Sequence, residues 1–106
     1  MIAAGAVFND AVSNTAVQVS PGRAGLMSLR LINTTAAVAY LQVFNAPATS
    51  VTVGTTSAAF AVRLGANETI SIDLGGLRMP NGISLAGTTT ATGSTGAAIS
   101  VLAVIS

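Results

Sequence analysis

A chain of 106 residues is one domain long, and without cysteine it has neither disulfides nor thiolate metal sites to add to its stability. Only 7% of its residues are charged, against about 25% in ordinary domains, and a net charge of +1 leaves no field to steer nucleic acid or an anionic membrane. No apolar run reaches the ~20 residues of a membrane-spanning helix, and the run over residues 1–8 lacks the basic start of a signal peptide before it meets Asn9 and Asp10.

From the N-terminus onward, short segments with apolar residues at every second position succeed one another. Residues 6–12 and 15–20 read as the first two strands, the second closed by Pro21-Gly22. Ala24–Asn33 reads as the third, with Met27, Leu29 and Leu31 on one face and Ser28 and Arg30 on the other. Residues 38–45 follow and stop at Asn45-Ala46-Pro47, and residues 51–54 read as a further short strand. Phe60, Val62 and Leu64 then alternate with Ala59, Ala61 and Arg63, and Ile70, Ile72 and Leu74 alternate with Thr69, Ser71 and Asp73. The intervening Gly65-Ala66-Asn67 predicts a hairpin that sets Leu64 opposite Glu68, Val62 opposite Ile70 and Phe60 opposite Ile72. Arg63 and Asp73 would share its polar face.

Gly75-Gly76 and Pro80-Asn81-Gly82 read as turns, residues 83–86 as a strand, and residues 87–96 as a Thr/Gly/Ser loop that is mobile in isolation. The last strand, residues 97–105, is apolar on both faces, which places it centrally in a sheet or beneath a partner. No helical stripe appears. Short strands with turn signals every ten or so residues predict an all-β chain: one β-sandwich domain over residues 1–106, jelly-roll-like, with antiparallel strands.

The chemistry is sparse. With no histidine and no cysteine, the common nucleophile–base pairs are missing, and with no lysine there is no phosphate-binding P-loop. Glu68 and Asp73, five positions apart on one extended segment, stand about 16 Å apart on opposite faces, too far for a glycosidase pair. No catalytic, cofactor-binding or metal-ligating residue is assigned, and the chain is expected not to be an enzyme. Tyr40 and Phe44 flank Gln42 on one strand face, superficially a stacking platform for sugars or bases, but aromatics so placed are more often core or interface. Arg23, Arg30, Arg63 and Arg78 lie on separate segments and do not interleave with aromatics, so they form no nucleic-acid signature. The sequons Asn33-Thr34-Thr35 and Asn67-Glu68-Thr69 read as loop sequence in the absence of an export signal. A surface of Ala, Thr, Ser and Gly costs little to desolvate, which suits a protein packed among many neighbours.

Several stretches resemble small virion proteins of tailed bacteriophages. They are Leu29-Arg30-Leu31-Ile32-Asn33-Thr34-Thr35 followed by Ala39-Tyr40-Leu41-Gln42-Val43-Phe44-Asn45, then Val53-Gly54-Thr55-Thr56, then Gly82-Ile83-Ser84-Leu85-Ala86-Gly87-Thr88-Thr89-Thr90. The resemblance implies a compact β-sandwich that decorates or cements the outside of a capsid, often as a homotrimer, across junctions between major capsid protein subunits. It implies assembly in the host cytoplasm, no catalytic residues, no cofactor, and no nucleic-acid or membrane partner. Some relatives carry aromatic or basic residues near the C-terminus, where this chain ends in Val104-Ile105-Ser106. Two other readings stand beside it: a tail, head-fibre or host-attachment module of the virion, and a carbohydrate-binding module built on Tyr40 and its neighbouring loops.

Overall fold

A computed structural model describes residues 5–106. Its strands are β1 (Gly5–Val12), β2 (Val17–Ser20), β3 (Ala24–Asn33), β4 (Ala39–Phe44), β5 (Phe60–Leu64), β6 (Thr69–Met79), β7 (Ile83–Thr88) and β8 (Ile99–Ile105). A single 3₁₀ turn, Ala48–Ser50, interrupts the β4–β5 connection. Two four-stranded sheets form, ordered β1-β8-β3-β6 and β2-β7-β4-β5, with every ladder antiparallel. The pairs β1/β8, β2/β7, β3/β6 and β4/β5 are those of one long antiparallel ribbon rolled on itself. That is an eight-stranded jelly roll.

The period of two builds the core. Leu26, Leu29 and Leu31 of β3, Leu41 and Val43 of β4, Leu64 of β5, Ile83 and Leu85 of β7, and Ile99 and Val101 of β8 point between the sheets and are buried. Each such side chain contributes about 1.5–3 kcal/mol of burial, so one sandwich interior dominates the stability. The central place expected for the last strand is found, because β8 lies between β1 and β3.

The predicted hairpin does not form. β5 pairs with β4, Val62 opposite Leu41 and Phe60 opposite Val43, while β6 pairs with β3 in the other sheet, Ile70 opposite Leu31 and Ile72 opposite Leu29. The turn after Leu64 carries the chain across the sandwich. It is closed by the Glu68 amide on the Gly65 carbonyl (3.1 Å) and by the Gly65 amide on Glu68 Oε1 (2.7 Å), with Asn67 left-handed at φ 55°. Both apolar sets still face the core, but alternation dictates which face is buried and leaves the neighbouring strand open. Arg63 and Asp73 consequently lie in different sheets.

Three local readings also change. Gly75 and Gly76, at φ 62° and 86°, do not end the strand: they form a bulge inside β6, where the register steps from Ser28–Asp73 to Leu26–Leu77. The same irregularity turns Met27 outward, 37% exposed, so that Leu26 and not Met27 shares the buried face with Leu29 and Leu31. Residues 51–54 form a turn and not a strand, with the Thr55 and Thr56 amides donating to the Thr52 carbonyl. In residues 87–96, Gly87 and Thr88 belong to β7, and the rest is a tied loop: Thr89 N donates to Thr95 O, Ala97 N to Gly87 O, and Gly87 N to Ser13 O. At Gly87 a side chain would meet the Val12 carbonyl at 2.7 Å, and that close approach lets the end of β1 cross onto β7.

Candidate functional site

The two outer faces of the sandwich are built differently. On the β1-β8-β3-β6 sheet, inward Leu29, Leu31, Val101 and Ala103 leave their alternating neighbours outside. Cross-strand register arranges these neighbours in rows. Ala6, Val104, Ser28 and Asp73 make one row, Phe8, Leu102, Arg30 and Ser71 the next, and Ser100, Ile32 and Thr69 follow. Phe8 is 64% exposed, and Leu102, Val104 and Ile32 are half-buried. An open groove of about 460 Å³ runs along this face between Met27, Arg30, Asp73, Leu102 and Val104. Asp73 accepts the Gly75 amide on Oδ1 (3.0 Å), which fixes its carboxylate beside the bulge.

The opposite face, on β2-β7-β4-β5, is roofed by loops. Residues 45–59 and 89–96 meet above Gln42, where a cleft of about 100 Å³ is lined by Gly54, Thr55, Thr56, Ala91 and Thr92. Gln42 Nε2 donates to Thr88 Oγ1 (2.8 Å) and to the Gly93 carbonyl (3.0 Å), and Thr88 Oγ1 donates to the Thr90 carbonyl (2.7 Å). Ser84 Oγ holds the Ala46 carbonyl (2.6 Å), and Gln18 Oε1 receives the Ala48 amide (3.2 Å). The roof is therefore anchored on side chains of three of the four strands below it. Neither roofing segment contains a charged residue.

Tyr40, Gln42 and Phe44 occupy one face of β4, as alternation requires, and it is the roofed face. Phe44 is fully buried, Gln42 nearly so, and Tyr40 half-buried at the end near Arg63 and Thr88. No paired aromatic platform is presented to solvent there. The acids are dispersed. Asp10 is on β1 and Asp73 on β6, at opposite edges of one sheet and some four residues apart along the strands, about 19 Å by strand spacing and rise, and Glu68 is bound into the β5–β6 turn. Among the described residues no group of three His, Cys, Asp or Glu side chains gathers. The arginines are dispersed as well: Arg23 in the β2–β3 turn, Arg30 on β3, Arg63 on β5 and Arg78 near the end of β6. No helix among the described residues is long and apolar enough to cross a membrane. Residues 1–4 of the apolar N-terminal run lie outside the described residues.

Three residues have roles that alternation and motif spacing do not announce. Asn33, read as a sequon, is 1% exposed and ties two turns together. Its Nδ2 donates to the Ala37 and Gly65 carbonyls (2.7 and 2.9 Å), and its Oδ1 accepts from the Thr35 amide and hydroxyl (2.9 and 2.7 Å). Gln42, in sequence a spacer between two aromatics, is the buried side chain that ties the roof to β4. Phe8, part of a short apolar run in the sequence, stands outward opposite Leu102, and nothing in that run by itself marks it as exposed. Searches against protein-family models, curated proteins and solved structures find no match to the chain.

Proposed function

We propose that the chain is a structural virion protein of a tailed bacteriophage, a non-enzymatic cement protein that docks on the capsid exterior across junctions between major capsid protein subunits. The observation that carries this reading is the roof over the β2-β7-β4-β5 sheet. It is a broad surface of Thr, Ser, Ala and Gly with no charge, held in shape by buried Gln42, Ser84 and Thr88. A pre-ordered surface loses little entropy on docking, and a weakly polar one costs little to desolvate. The resemblance of residues 29–45, 53–56 and 82–90 to small virion proteins supports the same reading, as do the scarcity of charge and the dispersal of the acids. Phe44 in the interior weighs against the carbohydrate-binding alternative.

The test is to strip the protein from particles, add it back, and measure the temperature at which the shell ruptures. A protein that binds only the assembled shell stabilises it by mass action, so added protein raises the rupture temperature. The gain persists in about 1 M salt, where charge interactions are screened within about 3 Å. Unchanged rupture with and without the protein removes the cementing role, and a low copy number per particle then favours the tail or fibre module. Release by salt retains the role and overturns the uncharged mechanism.

A further inference from the structure

We infer that the outer face of the β1-β8-β3-β6 sheet pairs with the same face of a second copy about a two-fold axis. The argument starts from what this face carries. Among the described residues the exposed large apolar side chains are Phe8, Met27 and Leu77, all on strands of this sheet; Phe8 and Met27 stand on its outer face, whereas Leu77, opposite inward Leu26, lies at its open edge. The other face is closed by its roof, so the apolar surface is concentrated on one side of the molecule. A three-fold ring, which the family resemblance implies, joins two different complementary patches, whereas a two-fold contact joins one patch to itself. With a single apolar patch available, the two-fold arrangement is the one that buries apolar surface against apolar surface.

The charges fit the same symmetry. The groove is lined by one cation and one carboxylate, Arg30 and Asp73, in adjacent rows beside Leu102 and Val104. A patch bearing one charge of each sign is complementary to its own two-fold image: Arg30 of one copy meets Asp73 of the other, and the reverse contact forms at the same time. The size is also adequate. Four strands about 4.8 Å apart and some seven residues long span roughly 450 Å² in projection. The relief of protruding side chains raises the accessible area toward the ~800 Å² that each partner buries in a standard interface. Capsid docking through the roof and self-pairing through the opposite face use different surfaces, so the two proposals stand or fall separately.

Light scattering and sedimentation on the purified full chain test this. The expected result is a dimer at micromolar concentration. Arg30→Asp alone and Asp73→Arg alone each set like charges against each other at both symmetric contacts, and each weakens dimerisation about tenfold or more. Mixing the two single variants restores pairing as a heterodimer, because each then supplies what the other needs, and the double variant R30D/D73R pairs with itself again. Both positions face outward, and although Asp73→Arg also removes the acceptor of the exposed Gly75 amide, circular dichroism is expected to show native spectra throughout. A wild-type monomer at about 100 μM, a wild-type trimer, single variants that dimerise like wild type, or no recovery on mixing would each overturn the two-fold pairing. A dimer that leaves capsid rupture unchanged overturns only the cement reading.

Discussion

Asn33 shows how one side chain can hold a corner of a jelly roll. It closes the end of β3, bridges the β3–β4 connection through Thr35 and Ala37, and reaches the β5–β6 turn through Gly65. The Asn33 and Asn67 amides complete the junction by donating to the Glu68 and Thr35 carbonyls. Burial makes these bonds costly to lose, because a carbonyl stranded without a donor forfeits its solvation. Asn33→Ala is expected to destabilise the fold by about 2–4 kcal/mol, seen as a lower denaturation midpoint at unchanged slope. Asn67→Gly, at an exposed left-handed position of the same turn, is expected to be near neutral. Equal losses from the two substitutions would show that the Asn33 bonds carry no weight.

At the scale of the element, β6 is the most informative strand. Eleven residues long and at a sheet edge, it offers unpaired backbone to any passing strand, and a bulge is one of the devices that blunt such an edge. Here the bulge rests on Gly75 and Gly76 in conformations that L-residues avoid. Nothing lies within 4 Å of a side chain added at Gly75, so a substitution there meets backbone strain and no steric neighbour. Gly75→Val is expected to cost about 1–2 kcal/mol and Gly75→Asn clearly less, since Asn tolerates the left-handed region. In a domain of this size about 1 kcal/mol moves the melting temperature by roughly 4–8 °C, so calorimetry resolves the difference. Identical melting of the two variants would mean that the bulge is not glycine-dependent.

For the molecule as a whole, the ribbon pairing has a kinetic consequence. β1 pairs with β8 and β2 with β7, so the first and last parts of the chain must meet before these two of the six ladders can form. Loop closure over such distances is unfavourable until the long-range contacts compensate it, and all-β topologies of this kind fold in milliseconds to seconds. Stopped-flow refolding of the wild-type chain is expected to show its main phase in that range. Microsecond folding would contradict the pairing. The two outer faces also divide the molecular surface. One is closed by uncharged, hydrogen-bonded loops, and the other carries Phe8 and the Arg30–Asp73 groove.

Periodicity alone determined the all-β class, the approximate extent of most strands, and the inward sets Leu29 and Leu31 of β3, Phe60, Val62 and Leu64 of β5 and Ile70, Ile72 and Leu74 of β6, because an extended chain sends neighbours to opposite faces whatever it pairs with; it misplaced Met27, where the irregularity in β3 breaks the alternation. Scarcity of charge was equally legible, and with it the exclusion of a field that steers nucleic acid. Strand partners were not. Gly65-Ala66-Asn67 is compatible both with a hairpin and with a crossing between sheets, and only the packing of Val62 and Ile70 on opposite sides of one core decides for the crossing. Gly75-Gly76 announces positive φ but not whether the strand ends or bulges there, since that depends on whether β3 continues alongside. The burial of Phe44 against the exposure of Phe8 was likewise decided by tertiary structure. Both are phenylalanines in alternating segments, and what separates them is that the loops after β4 and β7 fold back over one sheet and leave the other open.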